Sequence, residues 1–288
     1  MHGHESGYGL EPPPCRVGDR KLITYRSVGS LPIQPVNGSA TLKGWLFCYN
    51  KSMDVKGLDI VYFVKESPSN EELRISLRSV AQNMPHKRVW IFGGCPRGIT
   101  PDIRVKVKQE GTTKWDRVRN MFQMACENKE LTDDFIMFND DFFVMQPTDH
   151  LNVNYRASLP KHIEMLETNF GNKPSAYTRL LRRSLSELQR LGLPTLSYEL
   201  HIPFIFNKEK MLKMMKAHPD WRSTRTMYGN LYNIGGERMC DVKIFSSKTE
   251  LDYKNLQFLS TDDSVVNVNN DIWRYIRNQF KNKCEYED

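Results

Sequence analysis

The sequence predicts an α/β fold with a mostly parallel sheet flanked by helices, on three observations. Short apolar runs at 59–64, 89–92, 103–107 and 135–138 have the length and composition of strands. Apolar residues at helical spacing fall between the first and second runs and between the third and fourth. None of the connections reads as a hairpin, so successive strands are expected to lie parallel with helices crossing between them.

Each element has a local reason. Asp59-Ile60-Val61-Tyr62-Phe63-Val64 is a buried-type strand. The helix after it starts at a Ser69 or Asn70 cap, carries Leu73, Leu77 and Val80 on one side, and stops before Pro85. Val89-Trp90-Ile91-Phe92 closes at Gly93-Gly94, and Ile103-Arg104-Val105-Lys106-Val107 alternates as a strand does. Thr113-Lys114-Trp115-Asp116 reads as a capping box with Asp in the usual Glu place, opening a helix whose inner stripe is Trp115, Val118, Phe122 and Ala125. After Pro147 the chain turns more helical, with a short amphipathic stretch at 184–191, a basic Met-rich helix at 208–217 and a closing helix at 271–281. Upstream, residues 1–57 read as an irregular arm and a small N-terminal β extension with strands at 22–25 and 45–49, leaving 58–288 as the main domain.

The formal charge of +7 favours an anionic partner, whether nucleotide, nucleic acid, anionic glycan or membrane face. No run of about eighteen apolar residues exists, and the Met1-His2-Gly3-His4 start lacks a secretory layout, so a cytoplasmic protein without integral membrane contact is expected. The six cysteines include no C-x-x-C pair; neither a zinc knuckle nor a redox motif is indicated, and free thiols are expected.

The chemistry concentrates at Phe135-Ile136-Met137-Phe138-Asn139-Asp140-Asp141-Phe142-Phe143, where an apolar strand runs into two adjacent carboxylates. Such carboxylates repel, and burying either is costly without a compensating cation or donor. Hard oxygen ligands at a strand end suit Mg²⁺ or Mn²⁺, which keep several waters and bridge to substrate phosphates. That points to a nucleotide-activated substrate. The bland alternative is an acidic turn capping a helix.

Four stretches resemble the Stealth family of sugar-phosphate transferases. They are 58–64, like its opening strand; Asn70-Glu71-Glu72-Leu73-Arg74-Ile75-Ser76-Leu77-Arg78-Ser79-Val80, like its E-L-R-x-S-L-R-S helix; Phe138-Asn139-Asp140-Asp141-Phe142-Phe143, like F-N-D-D-x-F; and His201-Ile202-Pro203-Phe204, like H-x-P. Thr261-Asp262-Asp263 is a weaker echo. Val64-Lys65-Glu66-Ser67 and Thr112-Thr113-Lys114-Trp115 depart from the family pattern. The resemblance implies a GT-A-like nucleotide-sugar transferase domain whose acidic motif holds a metal on the donor diphosphate.

In that frame Asp140, Asp141 and Asp263 are candidate metal ligands. His201 is the candidate general base, because imidazole titrates near neutrality, with Glu199 as a second base or an orienter of its ring and Asp141 counted among the catalytic residues. Arg74 and Arg78, at i and i+4, can point at one anion or answer Glu71 and Glu72 as surface charges. Lys114 and Arg117 follow a helix cap, and Asn139 and Arg225 complete the expected donor and phosphate contacts.

The expected activity is metal-dependent transfer of a sugar or sugar phosphate from a nucleotide-sugar, of uridine type, to a hydroxyl of a glycan or of a hydroxylated base in DNA. A nucleic-acid- or carbohydrate-binding module with an inactive site, and a two-metal phosphohydrolase, are the alternatives.

Overall fold

A computed structural model describes residues 52–108, 113–170, 174–220, 223–245, 252–267 and 271–288. The expected β extension at 22–25 and 45–49 lies outside them.

The central sheet has five strands. β1 (Asp59–Val64), β2 (Val89–Gly93), β3 (Ile103–Val105) and β4 (Asp134–Phe138) are parallel, and a later strand (Phe204–Asn207) pairs antiparallel with β4, Phe204 opposite Met137. From that antiparallel edge the order runs Phe204–Asn207, β4, β1, β2, β3. The chain therefore builds outward from β1 in one direction through β2 and β3, then returns to β1's other side with β4. Ligands of open parallel sheets bind outside the carboxyl ends at such a reversal.

Helix α1 (Glu71–Asn83) crosses between β1 and β2, and α2 (Lys114–Glu127) between β3 and β4. Asn70 caps α1, its Oδ1 accepting from Leu73 N–H at 2.9 Å. At α2 the capping box forms as the sequence predicts, Thr113 Oγ1 accepting from Asp116 N–H and Asp116 accepting from Thr113 N–H. Alternate strand residues serve opposite faces: Val61, Trp90, Phe92, Phe135 and Met137 pack with α2 and the later helices, whereas Ile60, Tyr62, Ile91, Ile136 and Phe138 pack with α1. Both faces are thus covered, which is why these strands read as near-continuous apolar runs.

The apolar stretch does not continue β4 beyond the acid pair. It turns and forms β5 (Phe142–Val144), which leaves the central sheet and is held by polar side chains of α1. Ser79 Oγ accepts from Val144 N–H at 3.0 Å, and Asn83 Nδ2 donates to Val144 O at 2.7 Å.

Helices α3 (Leu159–Phe170) and α4 (Ala176–Arg190) follow. The second is longer than the expected 184–191, because Ser175 caps it and the basic run at 179–183 forms its first turns. Phe204–Asn207 becomes β6, leading into α5 (Lys208–Ala217), α6 (Thr224–Leu231) and β7 (Lys243–Ile244). β8 (Phe258–Thr261) pairs with both β7 and β5 in a small second sheet, and α7 (Asp263–Asn267) and α8 (Asp271–Gln279) close the chain.

Met53 and Asp54 pair with Leu151 and His150, and Val55 is buried in the core, so the packed unit includes residues upstream of the expected start at 58. Among the described residues no helix is long and apolar enough to cross a membrane.

Candidate active site

Asn139, Asp140 and Asp141 form the turn that follows β4, Phe142 N–H closing it onto Asn139 O at 3.3 Å. The two carboxylates face different surroundings. Asp140 Oδ2 accepts from Asn70 Nδ2 at 2.6 Å and lines a cleft of about 330 Å³ with Lys65, Ser67, Ser69, Glu72 and Asp263. Asp141 is buried, its Oδ2 accepting from Lys243 Nζ and from Ser260 Oγ, each at 2.8 Å. The small second sheet thus neutralises one acid of the pair and leaves the other to the cleft.

The cleft is electrostatically costly. Burial, helped by the Asp141 charge, raises the Asp140 pKa against the bond from Asn70. Glu72, whose Oε1 accepts from Thr261 Oγ1 at 2.8 Å, is pushed up to about 7 by burial and by Asp141, Asp140 and Asp263. Its wall comes close because Gly94 lets the end of β2 approach the loop after β1; a Cβ there would sit 2.5 Å from Glu66 Cα.

His201 belongs to the same edge for a topological reason. β6 is antiparallel to β4 and begins at β4's carboxyl end, so the residue three before Phe204 and the turn after Phe138 are neighbours in space. The His201 and Phe142 ring centroids are 6.4 Å apart. Asp241 grips His201 twice: Oδ1 accepts from the backbone N–H at 2.9 Å, and Oδ2 lies 2.8 Å from Nδ1. Arg156 Nη1 adds an ion pair to Asp241 Oδ2 at 2.7 Å. Burial would raise the Asp241 pKa, but His201 and Arg156 outweigh it and hold this carboxyl well below the usual range. With Nδ1 engaged by Asp241, Nε2 is the ring nitrogen left for another partner.

Arg225 connects the two groups from behind. It is buried, donates from Nη1 to Leu200 O, and its guanidinium carbon lies 5.3 Å from the Phe142 ring centroid. Burial lowers its pKa, opposed by the charges of Glu199, Asp141 and Asp241. It acts on the site's field from within the protein.

Other expected residues are placed elsewhere. Arg74 and Arg78 both bind Glu287, at 2.7 and 2.5 Å, and tie the end of the chain to α1 instead of facing the acid pair. Glu199 accepts from Thr226 N–H at 3.2 Å at the start of α6, where a free helix N–H attracts a carboxylate, so the orienter of His201 is Asp241. Lys114 Nζ lies 4.3 Å over the Trp115 ring, and neither Lys114 nor Arg117 lines the acidic cleft. Asp262 caps its own turn through Ser264, whereas Asp263 does line the cleft. A larger cleft of about 620 Å³, between the start of α2, α4 and the end of α5, contains neither the acid pair nor His201.

Sequence reasoning missed Asp241, Arg156, Lys243 and Ser260 as site residues and took Glu72 only for a surface charge. Asp241 lies 40 positions from the histidine it holds, and no spacing rule links them.

Among the described residues no three His, Cys, Asp or Glu side chains already converge as a ligand set. The donor chemistry nonetheless fits a hard divalent cation. Asp140, Glu72 and Asp263 line one cleft with carboxylate oxygens, and burial, with the neighbouring negative charges, raises the pKa values of Asp140 and Glu72, a cost that a cation would relieve. The expectation of free thiols needs correction. Cys95, Cys126 and Cys284 are free, but Cys240 is disulfide-bonded.

No family model matches the chain, and no curated protein matches it by sequence.

Proposed function

We propose that this chain is a divergent Stealth-like transferase of the GT-A kind, moving a sugar or sugar phosphate from a uridine-type nucleotide-sugar to an acceptor hydroxyl. The observation that carries this reading is that a charge-strained acidic cleft and a histidine oriented by Asp241 both stand at the carboxyl end of β4, at the reversal of strand order.

Asp140, with Glu72 and Asp263, would hold Mg²⁺ or Mn²⁺; when bound, the ion offsets charge on the donor diphosphate and the departing nucleotide. The acceptor hydroxyl gives its proton to His201 Nε2 as its oxygen attacks the anomeric carbon or phosphorus. Asp241 keeps the imidazole in the tautomer with Nε2 free and stabilises the imidazolium that results. Lys243 pairs with Asp141, and Arg225 offsets part of the charge of Glu199, Asp141 and Asp241.

A thermal-shift panel of UDP-glucose and UDP-N-acetylglucosamine, with and without Mn²⁺, tests this. Ligand at a hundredfold excess over its Kd stabilises by roughly 2.7 kcal/mol, so a rise of several degrees is expected when nucleotide-sugar and metal are both present. Asp140→Asn is expected to abolish the Mn²⁺-linked part of the shift. A full shift in that variant removes the metal role from Asp140, and no shift with any nucleotide-sugar ends the transferase reading.

A further inference from the structure

One side chain beside the proposed base has no task in that mechanism. Phe245 follows β7 and is 52% exposed, one of two large hydrophobic residues open to solvent among those described. Single exposed hydrophobes are ordinary; this one stands out by its position. Its ring meets the His201 ring edge to face, centroids 6.5 Å apart at 88°, and Lys243 Nζ lies 6.0 Å from its centroid. The backbone is fixed there, Phe245 O accepting from Ser264 Oγ at 2.8 Å. An apolar surface is therefore held where an acceptor must bring its hydroxyl to His201.

A pyranose ring suits that surface. Its C–H face is apolar and flat enough to lie on an aromatic ring and displace water from it, while its rim presents hydroxyls to polar neighbours. The charges argue against a nucleic acid. Glu72, Asp140, Asp141, Asp241 and Asp263 gather at this edge; of the nearby cations Lys243 is paired with Asp141, Arg156 with Asp241 and Arg225 is buried, which leaves, among the described residues, a single lysine, Lys65 of the cleft wall, against those carboxylates. A polyanionic strand needs uncommitted cations to neutralise its phosphates, and a neutral sugar does not.

We propose that the exposed face of Phe245 is the platform on which the acceptor's sugar ring lies, presenting a hydroxyl to His201 Nε2. This rests on the transferase reading and narrows its acceptor to a neutral glycan.

The test applies the full chain, with UDP and Mn²⁺, to an array of immobilised neutral mono- and oligosaccharides, comparing wild type, Phe245→Ala and Phe245→Trp and recording each thermal midpoint. The wild type is expected to hold a subset of the glycans. Phe245→Ala should lose that binding by about tenfold or more at an unchanged midpoint, and Phe245→Trp should keep it within about threefold. If alanine lowers the midpoint, Phe245→Leu decides, since it keeps apolar volume without an aromatic face and should lose binding too. Alanine and leucine variants that bind within about twofold of wild type, or a wild type that holds no neutral glycan, overturn the proposal. Turnover of UDP-sugar by the wild type is read separately. Turnover with binding insensitive to Phe245 removes the platform alone; no turnover, with binding that needs the aromatic ring, removes the transferase and leaves a carbohydrate site.

Discussion

His201 and Asp140 stand at the same edge of the sheet, yet the charges around them are settled in opposite ways. Around the histidine, Asp241 is matched by the imidazole and by Arg156 and is driven low in pKa. Around the acid pair, Lys243 and Ser260 satisfy Asp141, while Asp140 and Glu72 are left with raised pKa values. The first group is complete as folded. The second keeps two carboxyls of raised pKa facing a cleft, a charge balance that the proposed cation would complete. Catalytic groups of fixed geometry and ligand sites that need filling show this difference, because a base must be oriented before its substrate arrives, whereas a metal site is stabilised by the metal.

The largest effect expected from this contrast is on the complete side. His201→Ala should lower transfer by about a hundredfold to ten-thousandfold, the usual range for losing a general base, while the donor- and Mn²⁺-linked thermal shift persists. Arg156 still pairs with Asp241 in that variant, so its carboxylate is not left without a counter-charge. Steady-state rates alongside the shift assay check both halves. Turnover at the wild-type rate would remove His201 from the chemistry and dissolve the comparison.

On the incomplete side the expected effect is a dependence on pH. Glu72 keeps its proton to about 7 when folded, against 4.5 ordinarily, so between those values the folded state binds more protons and stability falls as pH rises. The full shift corresponds to roughly 3 kcal/mol. His162, buried and pushed down to about 3, works the other way between about 3 and its ordinary 6.5, so the net profile of the wild type mixes the two. The difference between Glu72→Gln and wild type separates them. Measured without metal by urea unfolding, the variant should gain on the wild type steadily from pH 4.5 to 7. Wild-type Mn²⁺ affinity should rise over the same range, since the proton must leave before the oxygen can ligate. A difference that stays flat with pH would show that Glu72 is not part of the strained cluster.

What could be read in advance follows from the range of the interactions. The strands, the Asn70 cap and the Thr113–Asp116 box depend on residues a few positions apart, and periodicity and capping rules reach that far. The position of Asp140 at a strand end was legible because an apolar run must stop where chain meets cleft. The departure of β5 from the central sheet was not, since it depends on Ser79 and Asn83 reaching from α1 across more than sixty residues. The antiparallel strand at Phe204–Asn207 was likewise hidden, and with it the reason His201 arrives beside the acids. Arg74 and Arg78 show the reverse failing: the i and i+4 spacing placed them together correctly, but the anion they share is Glu287, over two hundred residues away.

That cluster supplies the smallest effect and a control on the contrast. Like Asp241, Glu287 is compensated within the fold: burial would raise its pKa, and the bonds from Arg78 and Arg74 bring it to about 2. Unlike Asp241 it adjoins no proposed substrate, so its compensation should serve stability alone. Arg78→Ala removes the donors at 2.5 and 2.8 Å and leaves Arg74 Nη1 at 2.7 Å, so a loss of about 1–3 kcal/mol is expected near neutral pH. Because the folded pKa of Glu287 is depressed, this advantage of the wild type is present above 4.5 and should disappear as pH falls towards about 2. Unfolding curves at several pH values check the trend, and the nucleotide-sugar shift measured on the same variant checks the separation from the cleft. If that shift vanished while the fold survived, Arg78 would belong to the donor site, and internally compensated charge would no longer distinguish scaffold from cleft.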